Sequence, residues 1–137
     1  MAVIVDTSAL YALADRRDPS HDICKGAIAA EEEAIIVPEQ ILCEIAYLTN
    51  ARLGAAAERS FLRSLSDSDW AIEPTNRTDL ARALDLLELY ASADIGFADA
   101  ATVAIAERLG VRRIYTLDRR DFALVRPAHV PAFELLP

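Results

Sequence analysis

"AVIVDTSAL", residues 2–10, decides how the rest of the chain is read. Four apolar residues, Ala2 to Val5, run straight into Asp6, and small or hydroxylated residues follow. The run is too short for a confident helix and too apolar for a surface loop. It reads as a buried strand. A buried strand that delivers a carboxylate at its end needs a reason, because an unpaired carboxylate is costly to take out of water.

Working outward, strands and helices alternate. Residues 2–6 are a strand and 8–14 a short helix. Residues 20–32 are helical, with Ser20 as N-cap after Pro19. Residues 34–37 form a second buried strand, stopped by Pro38. Helices follow over 39–52, ended by Gly54, and over 55–66. Residues 70–73 suit a short edge strand. Asn76 caps a helix to about residue 91, with Leu80, Leu84 and Leu87 on one face. A helix over 97–109 closes at Gly110, a strand over 113–117 ends at Asp118, and a last strand covers 133–136. The strands are continuous apolar runs, which predicts a parallel sheet covered on both faces. In such sheets ligands bind at the carboxyl ends of the strands. Asp6 and Asp118 both fall there.

Composition bounds the answer. At 137 residues the chain is read as one domain, 1–137, with 53% apolar and 26% charged residues. No apolar run spans a bilayer and no basic segment precedes the first strand, so neither a membrane protein nor a signal peptide is expected. The two cysteines, Cys24 and Cys43, lack metal-ligand spacing and read as reduced thiols of a cytoplasmic protein, Cys43 in core packing. A formal charge of −8 argues against a passive nucleic-acid coat. Yet one window, 108–126, holds six arginines against two aspartates, a local +4. His21 and His129 read as surface residues, no glycine-rich phosphate loop exists, and no Ser/His/Asp order stands out.

The acids carry the chemistry. Glu44 lies on the apolar stripe Ile41–Ile45–Leu48, so it should be buried or at a cleft edge. Asp99 opens the nearly all-apolar helix in "IGFADAATVAIAERLG"; the helix dipole there also favours an acid. Asp94 is either a fifth acid or a turn residue. Asp6, Glu44, Asp99 and Asp118 are thus expected at one end of one sheet. Like charges so gathered repel and call for a cation. All-oxygen ligation suits Mg²⁺ or Mn²⁺, and metals so held serve phosphoryl chemistry.

Together, "IVDTSAL", the helical glutamate of "EQILCEIAYL", "GFADAATVAIAERLG" and "IYTLDRRDF" resemble the PIN-domain ribonucleases, and among them the VapC-type toxins of bacterial toxin–antitoxin pairs. The resemblance implies a three-layer α/β/α sandwich with a central parallel sheet. It also implies a Mg²⁺-dependent endoribonuclease, with Mn²⁺ able to substitute. The family's acidic quartet falls on Asp6, Glu44, Asp99 and Asp118, with Asp6 and Asp99 as principal metal ligands. Thr7 and Ser8 would support the site, and Arg119 and Arg120 would hold flanking phosphates of the RNA. A homodimer is implied, as is a cognate antitoxin with a basic C-terminal segment. Two alternatives are a PIN fold used only for protein contacts and a metal-dependent phosphatase.

Overall fold

The computed structural model describes all 137 residues. The opening run forms strand β1, Ala2–Val5, and the chain turns at Asp6 into helix α1, Thr7–Ala14. Then come α2 (His21–Ala29), β2 (Ala34–Pro38), α3 (Gln40–Leu53), α4 (Ala55–Asp67) and β3 (Ala71–Glu73). The second half is α5 (Arg77–Leu89), α6 (Phe97–Leu109), β4 (Arg113–Tyr115), α7 (Arg120–Leu124) and β5 (Glu134–Leu136). All strand pairs are parallel, in the order β3-β2-β1-β4-β5. β1 is therefore central, and the chain leaves β1 and β4 in different directions. A crevice opens between their carboxyl ends, where α/β sheets place their ligands.

The two faces follow from strand parity. Val3, Val5, Ile35 and Val37 point to one side and pack on Leu10, Cys24, Ile41 and Ile45 of α1, α2 and α3. Ile4, Ile36 and Ile114 point to the other and pack on Ala83, Leu86, Val103, Ile105 and Phe122 of α5, α6 and α7. This is the expected three-layer α/β/α sandwich. No helix is long and apolar enough to cross a membrane.

Several elements differ from the sequence reading. The stripe expected on α5 is rotated: Leu80 and Leu84 are half exposed, while Asp79, Ala83 and Leu86 are buried. The cause is polar. Asp79 closes a capping box with Asn76 and takes three hydrogen bonds from Arg108, which turns that face inward. The 3₁₀ turn Ala91–Ala93 and helix α7 carry no periodic signal; α7 is anchored by one buried ring, Phe122, edge-on to Phe133 at 6.4 Å. β4 is two residues shorter than expected, because the Leu117 amide leaves the sheet to donate to Ser8 Oγ at 2.8 Å. Ser20 makes no side-chain cap; its own amide donates to Asp18 Oδ1. His21 and His129 are not surface residues. They are half-buried clamps donating to the carbonyls of Ala12 and Val111.

The basic window is largely spent inside the fold. Arg108 pairs with Asp79 and Glu73, and Arg113 with Glu31, Glu33 and Glu134. Asp79 is only 2% exposed, so removing its guanidinium strands a buried charge. Arg108→Ala should cost about 3 kcal/mol in a guanidinium chloride titration. Adding Asp79→Asn, which keeps the capping oxygen but not the charge, should return part of the loss. Equal stability of Arg108→Ala and wild type would show that the pair holds nothing.

Candidate metal centre

Asp6 sits at the N-cap position of α1, yet its side chain caps nothing. Its backbone amide continues the sheet, donating to the Tyr115 carbonyl at 2.9 Å. The carboxylate is left for the crevice, and hydroxyls hold it there. Thr116 Oγ1 donates to Asp6 Oδ2 at 3.1 Å, with Ser8 Oγ at 3.5 Å from the same oxygen. Ser8 also accepts from the amides of Leu117 and Asp118, at 2.8 and 3.3 Å. One serine after β1 thus ties the ends of β1 and β4 together.

Glu44 comes from α3, one face away from the buried Ile41–Ile45–Thr49 stripe. It is exposed at the cleft edge, and Thr7 Oγ1 donates to its Oε2 at 2.7 Å. Gln40, one turn earlier, fixes α3 against the start of α6. Its amide donates to Thr102 Oγ1 at 3.1 Å and to the Ala98 carbonyl at 3.4 Å. Asp99 projects from the first turn of that helix.

These groups line one cavity of about 920 Å³, which includes Asp6, Thr7, Ser8, Glu44, Asp99 and Asp118. All four acids of the expected quartet are therefore on one wall system. Asp118 is exposed at its rim. Asp94, Arg119 and Arg120 are not on it. Asp94 adopts a left-handed backbone, φ 52°, and closes the 3₁₀ turn. Arg119 donates to the Pro137 carbonyl, and Arg120 to Asp121 and the Ala93 carbonyl. Cys43, expected in the core, is exposed and lines the cavity, because its position on α3 faces away from Ile41 and Ile45.

The sequence reading missed five contributors: Tyr11, Gln40, Arg52, Thr116 and Asp121. Gln40 and Arg52 were legible as Glu44 minus four and plus eight, the same helix face. Asp121 shows itself only through the fold, which brings its carboxyl within hydrogen-bonding reach of Asp99.

The electrostatics are those of an acid site short of positive charge. Burial lifts the Asp6 carboxyl to about 6, with Glu44 and Asp118 adding repulsion; the Thr7 amide and Thr116 hydroxyl only partly offset this. Asp99 is pushed well above the usual carboxylate range, first by burial and then by Asp121, Asp6 and Glu44. The donors are hard carboxylate oxygens, which fits a divalent cation such as Mg²⁺ or Mn²⁺. No three His, Cys, Asp or Glu side chains form a ready-made cage. A cation held here would keep part of its water shell, as Mg²⁺ ordinarily does.

The PIN-domain family model matches residues 3–126. The chain belongs to the PIN-domain family. A relative of this PIN domain, the ribonuclease VapC26 of Mycobacterium tuberculosis, is 35% identical over 135 residues, covering 98% of this chain and all of its own. That places the protein in the VapC branch. Among solved structures, the M. tuberculosis toxin VapC20, described as cleaving the sarcin–ricin loop, superposes with a TM-score of 0.84 at 23% identity. The match covers 93% of this chain and 98% of that one. FitAcB from Neisseria gonorrhoeae shares the fold at a TM-score of 0.68 and 14% identity, over 98% of this chain and 96% of its own.

The raised carboxyls set a direction for stability. The unfolded chain releases the Asp6 proton near 3.8, whereas the folded chain holds it to about 6, and holds the Asp99 proton higher still. The folded state binds more protons across that window, so stability present below it is lost as pH rises. Glu31, held down to about 2 by Arg113, works in the opposite sense but only at lower pH. In EDTA, denaturant midpoints should fall from about pH 5 to about pH 8. Asp6→Asn should flatten that fall. A midpoint that stays level over this range would mean the two carboxyls ionise in the fold as they do in the unfolded chain.

Proposed function

We propose that this PIN domain is a divalent-metal-dependent endoribonuclease, and that it serves as the toxin of a toxin–antitoxin pair. One observation carries the reading: four carboxylates line a single cavity at the carboxyl end of the central strand, and no cation offsets Asp6 and Asp99. The full-length likeness to a ribonuclease supports RNA as the substrate. Structural neighbours that include a toxin–antitoxin complex from Klebsiella pneumoniae, with a TM-score of 0.68, support a protein inhibitor as partner. We take that partner to carry a basic C-terminal segment that covers the acids, and the working unit to be a homodimer.

Asp6 and Asp99 would hold Mg²⁺, with Mn²⁺ as a substitute. When bound, the ion stabilises charge on a phosphodiester undergoing attack and makes water a better nucleophile. Asp6 is fixed for this by Thr116, so the ligand needs little reorganisation. Glu44, aimed by the Thr7 hydroxyl, and Asp118 at the rim accept hydrogen bonds from the attacking water and orient it. Leu48, Phe97 and Leu117 add an apolar part to the cavity wall.

Two measurements test this. Purified protein is incubated with total RNA in Mg²⁺, in Mn²⁺ and in EDTA. Cleavage should need the metal, and Asp6→Asn or Asp99→Asn should lower it by more than the ~10–100-fold that a supporting partner contributes at a metal site. A variant cutting at the wild-type rate sinks the assignment. Separately, metal at ~100 times its dissociation constant should stabilise the wild type by roughly 2.7 kcal/mol. Asp6→Asn should lose most of that response in thermal melts, while melting in EDTA at or above wild type because one repelling charge is gone. A wild-type melting point indifferent to Mn²⁺ would remove the metal from the account.

A further inference from the structure

The acid cavity is lined by a single cationic side chain, and it is Arg52. Helix α3 lays five residues along the wall, Cys43 and, at four-residue spacing, Gln40, Glu44, Leu48 and Arg52. Residues four apart share a face. Eight residues of helix rise ~12 Å, so Arg52 stands that far along α3 from Glu44. A ribonucleotide strand crosses such a distance within a few backbone repeats.

Arg52 is held in an unusual way for this chain. Its guanidinium lies over the Tyr11 ring, 4.9 Å from the centroid. The ring itself is buried, and its hydroxyl donates to Asp15 Oδ2 at 2.8 Å, which locks it. Arg82, Arg108, Arg113 and Arg120 each pair with a carboxylate; Arg52 pairs with none. Stacking occupies the face of the guanidinium, one edge donor is turned to the Tyr11 hydroxyl, and the remaining edge donors meet no carboxylate. A cation in the last turn of a helix suits the dipole. The dipole does not require a ring beneath that cation, nor a place in the wall of an acid cavity. Asp18, the acid that also lines this cavity, spends an oxygen on the Ser20 amide. A planar guanidinium with free edge donors is matched to a phosphate.

We propose that Arg52, stacked on Tyr11, binds an RNA phosphate flanking the one being cut. The inference rests on the ribonuclease reading above. It gives that reading what an acidic protein otherwise lacks: a positive contact on the wall of the acid cavity that does not neutralise the acids. Helix α3 then carries both functions, orienting water at Glu44 and gripping the strand at Arg52.

The test uses the full chain and a labelled single-stranded RNA that the wild type cleaves, or any labelled single strand if it cleaves none. Binding is measured in Mg²⁺ on the Asp99→Asn background, where cutting is switched off. Arg52→Ala and Arg52→Gln should weaken binding about tenfold. They should also reduce the slope of log affinity against log salt by about 0.7, the share of one phosphate on a single strand. With Asp99 intact, the same variants should raise KM by a similar factor and leave kcat within about twofold of wild type. Arg52→Lys keeps the charge without the fork and should fall between. Unchanged affinity and salt slope in a folded Arg52→Ala overturn the proposal. So does a loss confined to kcat, a loss confined to binding a protein partner, or no RNA binding by either protein. If the wild type cuts no RNA in any metal yet Arg52→Ala still weakens RNA binding, the nuclease reading fails and the Arg52 contact stands.

Discussion

The carboxylate of Asp6 is the constraint around which this end of the molecule is arranged. It follows directly on the central strand, is 5% exposed, and takes hydrogen bonds only from hydroxyls and an amide. A carboxylate in that position cannot drift, because its own amide is pinned to β4. Ser8 and Thr116 then set the spacing between the ends of β1 and β4. Glu44 and Asp99 approach from helices on opposite faces of the sheet, and Gln40 fixes those two helices against each other. Four acids share a cavity because sheet order, one serine and one glutamine leave them nowhere else to go.

Charge is distributed with the same economy. The arginine-rich window suggests a surface for a polyanion, yet the fold consumes Arg108, Arg113, Arg119 and Arg120 in pairs and carbonyl contacts. What reaches the cavity is Arg52, from a part of the sequence with no local excess of positive charge. Counting charges along the chain therefore points to arginines that lie off the cavity wall. Following one helix face from Glu44 points to the arginine that lines it.

Much of the architecture was legible because buried parallel strands leave a signal that survives without context. Ala2–Val5 and Ala34–Pro38 are apolar runs bounded by an acid and a proline, and both are strands. The four acids were legible for a related reason: a carboxylate at a strand end or on an apolar helix stands out. What was hidden depends on contacts between distant segments. The buried face of α5 is chosen by Asp79 meeting Arg108, twenty-nine positions away, which no periodicity encodes. Helix α7 exists because Phe122 finds Phe133. Cys43 neighbours both a buried isoleucine stripe and a cavity wall, and only the rotation of α3 decides between them.

The two ends of the central strands show how one set of residue types yields both stability and a site. At the amino end, Arg113 at the start of β4 gathers Glu31, Glu33 and Glu134. Its guanidinium holds the Glu31 carboxyl down to about 2. Glu31, bonded by Arg113 and the Tyr115 hydroxyl, has its charge matched within the fold. At the carboxyl end, burial drives Asp6 up to about 6, and its neighbours are more acids. A guanidinium placed there would lower that carboxyl as surely as Arg113 lowers Glu31, and would stabilise the fold. On the reading proposed above, it would also fill the place of the cation and the phosphate. Stability forgone at one end of the sheet is the condition for chemistry there. The cation–π stack fits the same logic, since Tyr11 keeps Arg52 on the cavity wall without lending its charge to the acids.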